Sequence, residues 1–261
     1  MIKKNVLDMI VIDNQELSNN YFLLKLAPVD SSQSLPYAEA GQFVEIRVDK
    51  SPTTFLRRPI SINFIDFDNN ELWLLIQKIG DGTKALSQLK ISDTLNIIYP
   101  LGNSFGLPEA QKSKLVLVGG GVGVAPMLYL GKVLFEKGYT PDFLLGFRSS
   151  SDIVLMDEFK KYGNVHITTE DGSFGEKGYV TNHSLLNEPI QKIFTCGPKP
   201  MMMAVAKYAK ENSIECEVSL ENTMACGFGV CLCCVEKTTE GHVCVCSDGP
   251  IFNIEKLTWQ I

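Results

Sequence analysis

The chain has 261 residues, 45% of them apolar and 21% charged, a composition that fits a globular protein of one to three domains and excludes a disordered or collagenous chain. Its 24 Lys and Arg against 30 Asp and Glu leave a formal charge of -6, which argues against a general binder of nucleic acid or anionic membrane, since both need a basic surface. No apolar run approaches the roughly 20 residues of a membrane-spanning helix, and Asp8, Asp13 and Glu16 fall where a secretory signal needs an apolar stretch, so a cytoplasmic protein is expected.

The N-terminal part predicts short strands over Met9 to Ile12, Tyr21 to Leu26, Phe43 to Val48, Ser61 to Phe64, Glu71 to Gln77 and Thr94 to Tyr99. Their β-branched and aromatic content, separated by turn residues, points to an antiparallel barrel or sandwich. One helix is expected within it, from near Thr83 through Ala85, Leu86 and Leu89. This module contains Leu56-Arg57-Arg58-Pro59-Ile60-Ser61-Ile62 and Gly80-Asp81-Gly82-Thr83. An arginine beside a rigid proline can clamp a phosphate, a hydroxyl three residues on can meet a ring nitrogen, and Gly82-Thr83 at a helix start offers a second anion contact. The plainer alternative is an exposed basic pair beside an edge proline.

The pattern changes at the turn-rich stretch Leu101-Gly-Asn-Ser-Phe-Gly-Leu-Pro108. Beyond it, strand runs at Lys114 to Val118, Phe143 to Phe147, Val165 to Thr169, Lys192 to Thr195 and Glu215 to Leu220 alternate with helices that end at Lys137 and cover Met156 to Tyr162 and Met201 to Glu211. Such alternation predicts a mostly parallel sheet covered by helices. Its first strand enters Gly119-Gly120-Gly121-Val122-Gly123-Val124-Ala125-Pro126, a turn into a helix N-terminus where a dinucleotide pyrophosphate can sit. It is not the G-x-G-x-x-G fingerprint, because from Gly121 the sixth position is Pro126. A later strand ends in Cys196-Gly197-Pro198, which puts a thiol at the carboxyl end of a parallel strand, where open α/β sheets bind ligands. Met201, Met202 and Met203 read as helix packing.

From Met224 the chain turns to Gly and Cys, and six of its eight cysteines (226, 231, 233, 234, 244 and 246) lie within 21 residues. With no secretion signal, ligation of a metal or an iron-sulfur cluster is the better reading than disulfides. Cys226, Cys231 and Cys234 give C-x4-C-x2-C, the plant-type [2Fe-2S] spacing, with Gly227 and Gly229 in the loop and a fourth ligand at Cys246 or Cys244. Structural zinc prefers two Cys pairs of wider spacing than Cys244-x-Cys246. A stretch this short needs such a centre to fold.

Taken together, Arg-Pro-Ile-Ser, Gly-Gly-Gly-Val-Gly-Val-Ala-Pro and Cys-Gly-Pro resemble the ferredoxin-NADP reductase superfamily over nearly the whole chain. The ending from Ser219 through Cys234, with Val245-Cys246-Ser-Asp-Gly-Pro250, looks like the electron-transfer subunit family of class 1B dihydroorotate dehydrogenase. The resemblance implies an FAD-binding β-barrel over 1-103, an NAD-binding α/β domain over 104-223 and a [2Fe-2S] domain over 224-261. It implies FAD contacts at Arg58, Pro59, Ile60, Ser61, Leu75, Ile76, Gln77, Gly82 and Thr83. NAD contacts would come from Gly119, Gly120, Gly121, Gly123, Cys196, Gly197 and Pro198, with Ser61 and Cys196 as redox-relay candidates. The cluster ligands would be Cys226, Cys231, Cys234 and Cys246. It further implies an FMN-containing catalytic subunit, two of each chain in a heterotetramer, acting in pyrimidine biosynthesis. That partner would oxidise dihydroorotate, so no residue of this chain need act on it. An apolar rim near the cluster is expected for docking.

Two other readings share features with this one. A small flavin and iron-sulfur subunit of an NADH-dependent ferredoxin:NADP oxidoreductase, hydrogenase or sulfite reductase has the same parts, and a zinc or redox-sensing binding protein would keep the fold without flavin. NAD is preferred to NADP because Glu170-Asp171 near a strand end would meet a ribose hydroxyl and repel a 2'-phosphate, although Arg148-Ser149 argues the other way.

Overall fold

A computed structural model describes residues 3-108 and 114-261. The N-terminal part folds into strands β1 (Asn5–Glu16), β2 (Tyr21–Pro28), β3 (Phe43–Ile46), β4 (Arg58–Ser61), β5 (Phe64–Asp66), β6 (Glu71–Gln77) and β7 (Thr94–Leu101), with helix α1 (Asp81–Leu86) between the last two. They form one antiparallel sheet in the order β4-β3-β7-β1-β2-β6-β5, curled so that β4 approaches β6. Period-two alternation puts Leu7, Met9 and Val11 of β1 into a core shared with Leu24 and Leu26 of β2 and Leu72 and Leu74 of β6. The run Ser61 to Phe64 is not a single strand: β4 ends at Ser61 and β5 begins at Phe64, while Asn63 between them keeps its amide on the Trp73 carbonyl and donates through Nδ2 to the Ala125 carbonyl at 2.9 Å. Helix α1 also stops before Leu89, its first turn closed by the Thr83 hydroxyl, which accepts from the amides of Ile79 and Gly80.

The second sheet contains β8 (Leu115–Gly120), β9 (Asp142–Phe147), β10 (Asn164–Thr169), β11 (Glu176–Lys177), β12 (Lys192–Cys196), β13 (Glu215–Ser219) and β16 (Ile251–Asn253), in the order β11-β10-β9-β8-β12-β13-β16. All its pairs are parallel except β13 with β16. Helices α2 (Ala125–Glu136), α3 (Met156–Lys160) and α4 (Lys199–Glu211) cover it. Strand β8 is buried along its whole length, as a central parallel strand covered on both faces must be. In α4, Met202, Val205, Ala206 and Ala209 form the buried stripe at helical spacing. Strand order reverses between β8 and β12, and the carboxyl ends of those strands open a crevice there.

The C-terminal segment adds a hairpin of β14 (Val235–Thr238) and β15 (Gly241–Cys244), a turn of helix α5 (Val245–Asp248), and then β16. Phe43, Ile98 and Leu101, from the face of β3 and β7 turned away from the barrel core, share one apolar cluster with Val116, Val118, Cys234, Val245, Cys246 and Phe252. The three modules therefore meet around that face. Asn103 reinforces the seam by donating to the carbonyls of Gly249 and Asp248.

The glycine turn after β8 is set largely by protein packing. A Cβ on Gly123 would lie 2.3 Å from the Cys196 carbonyl oxygen, and one on Gly119 would lie 2.8 Å from the Val124 Cα. Both contacts are to backbone, which cannot step aside. Gly123→Ala is expected to destabilise the protein by about 1–3 kcal/mol through overpacking, read as a lowered thermal unfolding midpoint. An unchanged midpoint would contradict the packing role.

Candidate functional site

The crevice at the β8/β12 reversal is a cavity of about 620 Å³, within the usual range for a small-molecule site. Gly120 and Gly121 form one wall, and Pro198, Pro200 and Met201 at the start of α4 form another. Asn20, Tyr21 and Gln77 reach in from the barrel, Thr168 comes from the end of β10, and Arg148, Asp152, Glu170 and Tyr179 come from beyond β9 and β10. Of the glycines, Gly121 has the open position: its φ is +55°, and a Cβ there would meet only the Tyr21 hydroxyl, at 3.4 Å. A Cβ on Gly120 would instead lie 2.3 Å from the Met201 sulfur, so that methionine shapes the pocket wall as well as packing the helix. Gly119, Gly123, Cys196 and Gly197 are not in the lining.

The Cys196 thiol is fully buried beneath the crevice, 3.9 Å from Oε1 of Glu221. Burial, with the Glu221 carboxylate beside it, pushes the thiol well above its ordinary range, so it is held protonated. Of the acidic pair at the end of β10, Glu170 lines the cavity, whereas Asp171 turns to accept from the amide and hydroxyl of Ser173. Arg148 lines the same cavity.

In the barrel, the two arginines separate by role. Arg57 donates to the carbonyls of Glu45 and Asn96 and to Oδ1 of Asn96, so it is tied into the sheet rather than being an exposed basic residue. Arg58 makes no side-chain hydrogen bond or ion pair among the described residues, and it packs where Gly82 lacks a side chain: a Cβ on Gly82 would lie 2.9 Å from its Nε. The structure thus brings Arg58 and Gly82 together. Pro59 lies in the edge strand β4, where its missing N–H is tolerated. All of β4, including Ile60 and Ser61, is half-buried. Leu75 and Ile76 of β6 are buried, and Gln77 at its end reaches the cavity. The Thr83 hydroxyl is engaged within its own turn, accepting from Gly80 and Ile79 and donating to the Gly80 carbonyl.

In the cysteine loop, backbone amides aim at sulfur. Phe228 N–H points to Sγ of Cys226 at 3.4 Å, Gly229 N–H to Sγ of Cys246 at 3.1 Å, and Cys246 N–H to Sγ of Cys234 at 3.4 Å. Such amides favour thiolates. At Cys226, burial raises the pKa, but the amides of Phe228, Cys231 and Val230 and the Cys231 side chain outweigh it and bring the thiol down to about 6. Gly227 (φ +71°) and Gly229 (φ +77°) supply the left-handed backbone that brings those amides inward. Cys244 differs from Cys246 in its partner: its thiol donates to the Gly229 carbonyl at 3.6 Å, whereas the Cys246 sulfur accepts the Gly229 amide; burial raises both thiols, Cys246 to about 12. Cys233 is exposed. Among the described residues no three Cys, His, Asp or Glu side chains converge on a point that would hold a single metal ion. A donor set of thiols ringed by amides fits an iron-sulfur cluster better than one tetrahedral zinc.

Two features here were not legible as site residues in sequence. Phe228, Val230 and Leu232 stand 42%, 81% and 64% exposed around Cys231 and Cys233, an apolar rim on the loop. Glu45 of β3 is fully buried beneath the loop, with neither carboxylate oxygen hydrogen-bonded among the described residues. Burial raises its carboxyl to about 7, against the opposing pull of Arg57 and Arg58. Strand alternation alone could have flagged this acid in an otherwise apolar run.

No helix among the described residues is long and apolar enough to cross a membrane. Residues 221–258 match the iron-sulfur cluster binding domain of dihydroorotate dehydrogenase B, and residues 117–207 match the oxidoreductase NAD-binding domain. In solved structures the chain is similar to one described as an NADH-dependent reduced ferredoxin-NADP oxidoreductase, at 27% identity and a TM-score of 0.84, covering 96% of this chain and 90% of that one. Another, the flavohem-like FAD/NAD binding domain of nitric oxide dioxygenase from Vibrio cholerae, is 20% identical with a TM-score of 0.69, covers 81% of this chain and 98% of that one, and shows the fold alone. Curated relatives share more sequence. The electron transfer subunit of dihydroorotate dehydrogenase B (NAD(+)) from Bacillus pumilus is 36% identical, covering 95% of this chain and 96% of its own. Its counterpart from Caldanaerobacter subterraneus is 42% identical, covering 83% of this chain and 86% of its own. With that identity over nearly the full length, the chain belongs to the family of dihydroorotate dehydrogenase B (NAD(+)) electron transfer subunits.

Proposed function

We propose that this chain carries electrons from a catalytic subunit that oxidises dihydroorotate at its own FMN to NAD+, by way of a [2Fe-2S] cluster and FAD that this chain holds. The observation that carries the reading is the ring of backbone amides aimed at Cys226, Cys234 and Cys246, beside a barrel and an α/β crevice in the same chain. When bound, a flavin exchanges hydride with nicotinamide and single electrons with an iron-sulfur centre. The residues' task is to hold and orient these groups.

In this reading residues 1-103 hold FAD, 104-223 bind NAD(H) and 224-261 hold the cluster. Arg58, unengaged and set against Gly82, would take the flavin pyrophosphate, while Arg57 fixes the strand beneath it. Pro59, Ile60, Ser61 and Gln77 would line the flavin, and Leu75 and Ile76 would set the strand that Gln77 ends. Gly121 and the N-terminal turn of α2 would take the dinucleotide phosphates, and Glu170 would meet a ribose hydroxyl and repel a 2'-phosphate, which supports NAD. The buried, protonated Cys196 would act by packing under the nicotinamide end of the crevice rather than as an exposed thiol. Cys226, Cys231, Cys234 and Cys246 would ligate the cluster. Cys246 is preferred to Cys244 because its sulfur accepts an amide while that of Cys244 donates to a carbonyl. The rim of Phe228, Val230 and Leu232 would dock the catalytic subunit, in a heterotetramer of two chains of each kind.

The reading is tested by copurification with an FMN-containing dihydroorotate dehydrogenase chain, followed by flavin, iron and sulfide analysis and by comparing reduction with NADH and NADPH. One FAD, two irons and two sulfides per chain and faster reduction by NADH are expected. A stable partner of another class, or zinc without flavin, would overturn it. Cys231→Ser is expected to abolish cluster absorption and electron delivery from the partner while NADH still reduces FAD, followed by stopped-flow absorbance. Arg58→Ala is expected to lower FAD occupancy of the purified protein at least about tenfold at limiting flavin, in line with about 1.4 kcal/mol for one lost charge-assisted contact. Undiminished occupancy would reject the assignment.

A further inference from the structure

Glu45 has a place in the fold that burial alone does not explain. It sits inside a three-strand row in which Pro59 of β4, Glu45 of β3 and Ile98 of β7 stand directly opposite one another, followed by Ser61, Phe43 and Leu101 in the next row. Opposite residues in antiparallel strands share a face, with strands about 4.8 Å apart. The face that carries Pro59 and Ser61, assigned above to the flavin, therefore runs through Glu45 to the cysteine segment. The loop closes on it directly: a Cβ on Gly227, next to Cys226, would lie 3.0 Å from Cδ1 of Leu101, 3.3 Å from Cγ of Glu45 and 3.7 Å from its Oε1.

In that face Glu45 stands between Pro59 and Ile98 with Phe43 and Leu101 in the next row, the residue is 0% exposed, and both oxygens lack a hydrogen-bond partner among the described residues. Arg57 and Arg58 are the cations nearest in effect, but Arg57 spends its donors on backbone carbonyls and Asn96, and neither makes an ion pair with the carboxylate. A buried carboxyl without partners is destabilising, and an apolar side chain of the same size would serve packing better. The acid therefore has a use in the assembled site.

We propose that Glu45 is a positioning residue of the electron path, a buried acid between the flavin strand and the cysteine loop that sets the potential at which the cluster accepts an electron. In its ionised form a carboxyl in a low-dielectric seam disfavours added negative charge on a neighbouring centre and so lowers that centre's potential. This inference rests on the function proposed above. It adds to it a residue outside the ligand set and outside the flavin contacts.

The test uses the complex with its catalytic partner, loaded with flavin and iron, in wild-type, Glu45→Gln and Glu45→Leu forms. The cluster midpoint potential is read by redox titration with electron paramagnetic resonance of the reduced centre. Both variants are expected to retain iron, sulfide and FAD, to raise the cluster potential and to alter its g values. A purely structural acid predicts otherwise: the Leu variant is more stable to heat, and both variants keep the wild-type potential and g values. That result overturns the inference and leaves the functional reading standing. A wild-type complex without iron and sulfide overturns the functional reading, and this inference with it.

Discussion

The architecture depends on one stretch of sheet that is buried on both sides. Val44 and Ile46 of β3 and Leu95, Ile97 and Tyr99 of β7 point into the barrel core, while Phe43, Ile98 and Leu101 point out of it into a second apolar cluster. An antiparallel sheet of this kind commonly leaves its outer face to water. Here the C-terminal segment lies against that face: a Cβ on Gly227 would meet Leu101 at 3.0 Å, and one on Gly102 would lie 2.6 Å from Pro250 and 2.9 Å from Phe43. Fewer than about 40 residues cannot bury a core of their own, and the segment from 224 onward draws its stability from others. It adds β16 to the edge of the α/β sheet, and Leu220 N–H bonds the Pro250 carbonyl. The same contacts that let the segment fold also hold its cysteines against the barrel face that carries Pro59 and Ser61.

The crevice follows from a second constraint, the reversal of strand order between β8 and β12. Central parallel strands must be apolar throughout, so polar and flexible residues collect at their carboxyl ends. Gly119 and Gly123 let β8, the turn and β12 close on one another, which leaves Gly121 as the glycine with open space beside it. Barrel residues Tyr21 and Gln77, which pair across β2 and β6, then complete the cavity from the other side. A nucleotide bound there lies between the two modules rather than within one.

Much of this was legible in the sequence wherever periodicity was strong. The central strands β8, β9 and β12 and the helices α2 and α4 fall within a few residues of their expected positions, because continuous apolar runs and a four-residue helical stripe leave few alternatives. The break at Asn63 was not legible, since the carbonyl that its side chain meets, that of Ala125, lies 62 residues away. Likewise, nothing local distinguishes Arg57 from Arg58; the distinction lies in Asn96 on a neighbouring strand. Spacing proposes three cysteine ligands, and it leaves open the fourth, for which only the fold shows that the Cys246 sulfur meets the Gly229 amide and the Cys244 thiol its carbonyl. The apolar rim was expected without residue names, because Phe228, Val230 and Leu232 look like any loop residues until their exposure is known.

Most of the buried polar side-chain atoms without partners among the described residues follow the same geography. Besides Glu45 they are Oδ1 of Asn63 at the junction of barrel and α2, Oγ1 of Thr168 beside the crevice, Oγ1 of Thr195 next to Cys196, and, away from these, Nε1 of Trp259. Each such atom costs about 1–3 kcal/mol when left unsatisfied, an appreciable fraction of the stability of a typical domain. The barrel core, by contrast, is packed with Leu, Ile and Phe side chains at or near zero exposure. Local rules are thus broken mostly around the crevice and the seam where the modules meet, a distribution expected when binding rather than packing dictates the residue. Glu45 is the extreme case, since a carboxylate is more costly to bury than a hydroxyl or an amide. Its strand could have taken Val or Ile, as positions 44 and 46 do, without loss of register or core. An acid at that position makes physical sense when the loop above it carries a charged centre whose energy the acid can shift.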